Sequence, residues 1–130
     1  MKDIKSTFEE LKTYQKALDF IDETYQVTKS FPKNETYGLT SQYKRASLSI
    51  ALNIAEGSGD TNKQFNEFLN ISSGSIKERV VCYRVANRLD YITAEQNHQA
   101  WLKLQEFSKM TSGHKNYLNN SNNQRPTTKD

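Results

Sequence analysis

Apolar residues return along this chain at alternating steps of three and four, and nothing alternates with period two, so the pattern predicts helices and no sheet. Leu11, Tyr14, Leu18, Ile21, Tyr25 and Thr28 form one such stripe. It is preceded by the capping box Thr7-Phe8-Glu9-Glu10, in which the threonine hydroxyl and the glutamate side chain can satisfy free backbone donors. Phe31-Pro32 ends this first helix, because a residue before proline is pushed out of the helical region. The second helix begins after Gly38 with the stripe Leu39, Tyr43, Ala46, Ile50 and Asn53. A second apolar edge, Leu48, Leu52 and Ala55, lies on another face, and a helix apolar on two faces usually touches more than one neighbour. Gly57-Ser58-Gly59 is expected to stop it with left-handed backbone geometry.

The box Thr61-Asn62-Lys63-Gln64 opens a third helix that the pattern carries to about Asp90, a length of about 42 Å. Phe65, Phe68, Ser72, Ser75 or Ile76, Cys82 or Tyr83, Ala86 and Leu89 mark its inward side. Its middle, Ser72-Ser73-Gly74-Ser75, is small enough to let another helix cross closely. A further box, Thr93-Ala94-Glu95-Gln96, starts a fourth helix with Trp101, Leu104, Phe107 or Ser108, Met110 or Thr111 and Leu118 turned inward. Residues 119–130 offer nothing apolar to bury and are expected to form a disordered polar tail. Short turns between long helices favour antiparallel neighbours. The expected architecture is an all-α, up-down-up-down four-helix bundle over residues 1–118.

Composition agrees with one domain. At 130 residues the chain can bury a core without staples, and a mean hydropathy of −0.87 suits helices with wide polar faces or a protein that buries more surface on oligomerising. The single cysteine, Cys82, has no internal disulfide partner and reads as a small core residue in a reducing cytosol. No apolar run reaches the roughly 20 residues of a membrane span, and the first residues lack the apolar segment of a signal peptide. A cytoplasmic protein without membrane contact is the expectation.

The net charge of +3 has a location. Residues 1–60 hold 8 basic and 9 acidic groups, whereas residues 61–130 hold 10 basic and 6 acidic, so the excess sits in the last two helices. Lys77, Arg84 and Arg88, seven and four residues apart, share a strip about 40° wide on the third helix, with Tyr91 close to the same line. Cations on one line can track phosphates and release counterions; they can equally be an ordinary solvated face, and sequence leaves both readings open. Lys44-Arg45 is a weaker candidate of the same kind.

The chain carries little that points to catalytic chemistry. His98 and His114 stand too far apart on one helix to share a metal, and Gly57-Ser58-Gly59 lacks the lysine and preceding strand of a phosphate loop. Asn53 on an apolar stripe and Glu56 at a helix C-terminus both look costly, so both are expected to find structural partners. For Glu56 those are the first amides of the third helix; for Asn53 a cross-helix bond that fixes register. No enzyme, cofactor or metal is implied.

Several segments carry a resemblance. Phe8-Glu9-Glu10-Leu11-Lys12-Thr13-Tyr14-Gln15-Lys16-Ala17, Phe31-Pro32-Lys33, Tyr37-Gly38-Leu39-Thr40-Ser41-Gln42 and Asn53-Ile54-Ala55-Glu56-Gly57-Ser58-Gly59, with Phe65, Phe68-Leu69 and Gly74-Ser75, resemble the four-helix-bundle proteins of 23S rRNA intervening sequences, often labelled S23. That resemblance covers roughly residues 8–118. It implies a bacterial cytosolic homopentamer without enzymatic activity. The related accessory proteins of diversity-generating retroelements imply nucleic-acid binding. The chain departs from the family pattern at Ala51-Leu52, where Pro-Ser is usual, at Asp60, where a basic residue is usual, and across Ile76-Lys77-Glu78-Arg79-Val80, where an acidic run is usual. Two functions are expected on these grounds. One is an oligomer binding RNA or DNA through Lys77, Arg84 and Arg88, supported by Lys44 and Arg45. The other is a protein–protein adaptor or structural oligomer whose interface candidates are Leu48, Leu52 and Ile54.

Overall fold

The computed structural model describes residues 11–124. Among them are four α-helices: α1 (Lys12–Val27), α2 (Leu39–Ser58), α3 (Asn62–Arg88) and α4 (Ala94–Gln124). Two 3-10 turns, Thr28–Ser30 and Lys33–Glu35, carry the chain from α1 to α2. Cross-helix pairs establish the up-down-up-down order. Arg79 and Ser75 on α3 meet Ser47 and Ser49 on α2, and Lys115 on α4 meets Asn70 on α3. Phe20 on α1 packs edge-on against Phe107 on α4, centroids 5.1 Å apart. Each helix packs on the next, and the bundle closes through a lighter contact between α1 and α4.

Local chemistry explains the boundaries. The box at Thr93 is complete, since Gln96 N–H donates to Thr93 Oγ1 at 3.0 Å and Thr93 N–H to Gln96 Oε1 at 2.8 Å. At Thr61 only the hydroxyl half forms, with Gln64 N–H at 3.2 Å, and the Thr61 amide turns to Asp60 Oδ1 instead. The box at Thr7 lies outside the described residues. After α3 the chain reverses at Asp90, φ 62°, with Tyr91 N–H bonded to the Ala86 carbonyl and Asp90 N–H to that of Asn87. This is the double-bonded helix stop usually built on glycine, here on an aspartate. α4 continues past Asn119, whose side chain accepts a bond from Asn66 on α3, to Gln124; the rest of the expected tail lies outside the described residues.

The glycine turn after α2 works differently from the expectation. No described glycine has a positive φ. Gly57 lies inside α2 and is needed for close approach: a Cβ there would stand 2.8 Å from Phe68 Cβ and 2.9 Å from Phe65 Cδ1. The expected tight crossing of α2 and α3 is present, carried by Ser72, which donates to the Ile50 carbonyl at 3.2 Å, and by Ser75 bonded to Ser49. Gly74 takes no part and faces open space.

The inward line of α1 also differs. Thr13, Ala17, Phe20 and Thr24 are buried, with Thr28 beyond them, while Leu11, Tyr14, Leu18 and Ile21 pack on the core's margin and Tyr25 is exposed. Each hydroxyl there has a partner: Thr13 meets His114 on α4, Thr28 donates to the Thr24 carbonyl, and Thr24 meets Arg79 on α3. Arg79 is 0 % exposed. Its Nε donates to Ser47 Oγ at 2.9 Å, and one terminal nitrogen reaches Glu23 Oε1 (2.9 Å), Thr24 Oγ1 (3.1 Å) and the Phe20 carbonyl (3.3 Å). The guanidinium lies against the Phe20 and Tyr43 rings, at 4.9 and 5.1 Å. Lys103 on α4 bonds the other Glu23 oxygen at 3.0 Å, so one ionic hub ties all four helices together. A buried charge is tolerated only with this degree of pairing.

Candidate nucleic-acid interface

α3 presents Lys77, Arg84 and Arg88 to solvent. The order Lys63, Asn70, Lys77, Arg84 repeats every seven residues, which drifts only about 20° per step on a straight helix, and Arg88 falls within the same band. Lys77 to Arg84 is an axial advance of about 10 Å and Arg84 to Arg88 about 6 Å. None of Lys77, Arg84 and Arg88 forms an ion pair among the described residues. The nearest acids of the helix, Glu67 and Glu78, lie about 60–120° around it, towards α2.

The strip borders α4. The Arg84 guanidinium carbon lies 5.3 Å from the Trp101 ring and 5.5 Å from that of Tyr83. Such stacking orients an arginine while leaving its donors free. Asn70 receives a bond from Lys115 Nζ at 2.9 Å, which brings a further cation onto this face from α4. Lys63 and Lys115 extend the set expected from sequence. The seven-residue spacing signals the first, whereas the second depends on helix pairing.

Lys44 and Arg45 do not join this face. Lys44 turns towards α1, its Nζ 4.5 Å over the Tyr25 ring. Arg45 lines a groove between α2 and α3 with Gln42, Leu48, Ser49, Leu52 and Glu78, away from the strip. Tyr91 is held aside: its hydroxyl donates to Glu35 Oε2 at 2.8 Å, and that bond raises the phenol's pKa. Glu35 also accepts the Leu39 N–H, and the two bonds hold its carboxyl below the usual value.

The four residues of the α2 end have plain structural fates. Asn53 Nδ2 bonds Ser49 of its own helix, to the carbonyl at 2.8 Å and the hydroxyl at 3.1 Å, so it fixes no register between helices. Glu56 is exposed and the expected bonds to the first amides of α3 do not form; Asp60 serves the Thr61 amide. Gly57 is the contact point described above, and Gly59 is in open space with φ −93°. Of the interface candidates, Leu48 and Leu52 are 45 % and 58 % exposed. Ile54 is not available to a partner, because it lies fully buried in the chain's own core.

The ionisable groups inside the bundle serve the hub. Burial pushes the Glu23 carboxyl up, but the charges and hydrogen bonds of Arg79 and Lys103 outweigh it and hold the group below its usual value. Burial raises the Tyr43 phenol to about 12 and also raises the Cys82 thiol, which packs in the core. His114, packed edge-on against Phe65 at 4.7 Å, is lowered by burial. Among the described residues no group of three His, Cys, Asp or Glu side chains could hold a metal ion, and no helix is long and apolar enough to cross a membrane.

A search of curated proteins finds no match. The family model described as 23S rRNA-intervening sequence protein matches residues 9–113, a span that runs through all four helices and holds Lys77, Arg84 and Arg88 as well as the Arg79 hub. With that much of the bundle matched, this chain belongs to the 23S rRNA-intervening sequence protein family.

Proposed function

We propose that the protein is a non-enzymatic, oligomeric RNA-binding bundle whose contact face is the α3 strip and its α4 border. The observation that carries this reading is the row of Lys77, Arg84 and Arg88, solvent-facing and without carboxylate partners among the described residues. Unpaired cations on a rigid helix meet phosphates without first breaking internal ion pairs, and they gain entropy from released counterions. A row of cations along one helix face suits the phosphate backbone, and structured RNA is recognised largely by shape. The family's description, which concerns a ribosomal RNA gene, makes an RNA partner the natural one to test first. Repeating the strip in a homo-oligomer, five times in a pentamer, turns weak contacts into an avid one.

Fluorescence anisotropy against a structured ribosomal RNA hairpin tests this reading. Reversal of the strip, Lys77→Glu with Arg84→Glu and Arg88→Glu, is expected to abolish binding while leaving helicity and assembly intact. A reversed protein that binds equally well refutes it.

A second reading, an adaptor or structural oligomer in a cytoplasmic assembly, is favoured by Leu48 and Leu52, exposed one turn apart on the α2 wall of a groove of about 410 Å³ between α2 and α3. Under it, Leu52→Asp dissociates the oligomer in sedimentation velocity; an unchanged oligomer rules this face out.

A further inference from the structure

Where α1 and α4 make their lighter contact, the bundle is notched by a cleft of about 270 Å³ near the start of α4. Its apolar walls are Val27, Ile92 and Ala100. Tyr43 forms part of its lining at 1 % exposure, and the Tyr43 hydroxyl has no hydrogen-bond partner among the described residues. Glu23 also lines it, with 19 % of its side chain exposed. At the rim stand Gln96 and Gln99. The Gln96 carbonyl oxygen is taken by the Thr93 amide, which leaves its NH₂ free to turn to a ligand.

These groups restrict what fits. Glu23 is ionised and already holds two cations, Arg79 and Lys103, so a third cation there would be repelled. An anion would face Glu23 and Glu95, both in the lining. What remains is an uncharged ligand with N–H donors for the spare lone pairs of Glu23, an acceptor for a phenol O–H or an amide NH₂, and flat apolar faces for a slot between two helices. We propose that this cleft is a nucleobase site. Guanine suits it best, with two adjacent N–H donors for the carboxylate and a carbonyl oxygen for Tyr43 or Gln96. The base could arrive as a free nucleoside or as an unpaired base of a bound RNA, and only the second source rests on the RNA reading above. The strip reaches the same turns of α4, since Arg84 stacks on Trp101, the residue that follows Ala100 of the cleft.

Equilibrium dialysis of the full chain with labelled guanosine, compared with inosine, reads the site directly. The expected result is saturable binding of one guanosine per chain, at least fivefold weaker for inosine, which lacks one of the two donors. Tyr43→Phe should weaken it several-fold, and Gln99→Trp, a plug on the exposed rim, should abolish it with helicity unchanged. Guanosine binding that does not saturate, or that survives Gln99→Trp, overturns the proposal. In the RNA arm, a hairpin with one bulged guanosine should bind at least fivefold tighter than its fully paired counterpart, and Gln99→Trp should remove the difference. Saturable guanosine binding without any RNA binding supports the cleft as a free-nucleoside site while the RNA reading fails. RNA binding with no bulge preference and no guanosine binding overturns the cleft and leaves the RNA reading standing.

Discussion

Removing either partner of the Glu23–Arg79 pair breaks the same bond, yet the two losses should differ in size. Glu23→Leu strands a guanidinium that is 0 % exposed, close to two aromatic rings and with one terminal nitrogen already unpartnered among the described residues. An uncompensated buried charge costs about 3–5 kcal/mol. Arg79→Met strands a carboxylate that is 19 % exposed and still bridged by Lys103. The Thr24 and Ser47 hydroxyls, already bonded to one another, keep each other. An apolar side chain of similar reach then replaces a desolvated cation, at a cost of about 1–2 kcal/mol. Urea denaturation followed by helical circular dichroism, at fixed protomer concentration, measures both. With a slope of about 2 kcal/mol/M, the midpoint should fall by about 2 M for Glu23→Leu and by about 0.5–1 M for Arg79→Met. The double variant should be more stable than Glu23→Leu alone, since it removes the stranded charge. Equal losses, or losses that simply add in the double variant, would refute the hub as an ionic lock.

Two further predictions rest on packing and protonation. Gly57→Ala should destabilise by about 1–3 kcal/mol, because the new Cβ meets Phe68 and Phe65, whereas Gly113→Ala, in open space on α4, should stabilise by about 0.5–1 kcal/mol through helix propensity; thermal midpoints at one concentration separate the two. His114 has a pKa lowered from 6.5 by burial, so the unfolded chain takes up its proton first. Its contribution is complete above about pH 6.5 and is lost as pH falls from there through the folded value. His114→Leu should flatten the stability profile just below pH 6.5, and a profile with the same slope in both proteins would rule the residue out as its source.

Helix number and order are legible in the sequence because each helix carries a regular stripe and clear punctuation at its ends. The stripes were less legible where the interior is polar. On α3 the inward series Ser72, Ser75 or Ile76, Cys82 or Tyr83 and Ala86 has a gap, and position 79 fills it by period. A charged residue there reads as surface by type although the spacing places it inside. The buried line of α1 runs through Thr13, Phe20 and Thr24, away from the more apolar Leu11, Leu18 and Ile21: Phe20 and Thr24 meet Arg79, and Thr13 meets His114 on α4. Asn53 and Glu56 differ from expectation for a related reason: a side chain near a helix end can bond its own helix or face solvent, and spacing does not say which. The strip at Lys77, Arg84 and Arg88 was legible because exposed cations keep the helical period without help from neighbours. The cleft was not, since it joins Glu23 and Val27 to Tyr43, Ile92 and Ala100 across three separate stretches of chain.

The most direct test of RNA contact through α3 is the salt dependence of binding to a ribosomal RNA hairpin, wild type against Lys77→Ala with Arg84→Ala and Arg88→Ala. Each phosphate contact contributes about 0.7–0.9 to the slope of log K against log salt. Neutralising the strip should therefore lower that slope by about 2–3 per binding chain while the circular dichroism stays unchanged. An identical slope in the two proteins would contradict the assignment of the interface to these residues.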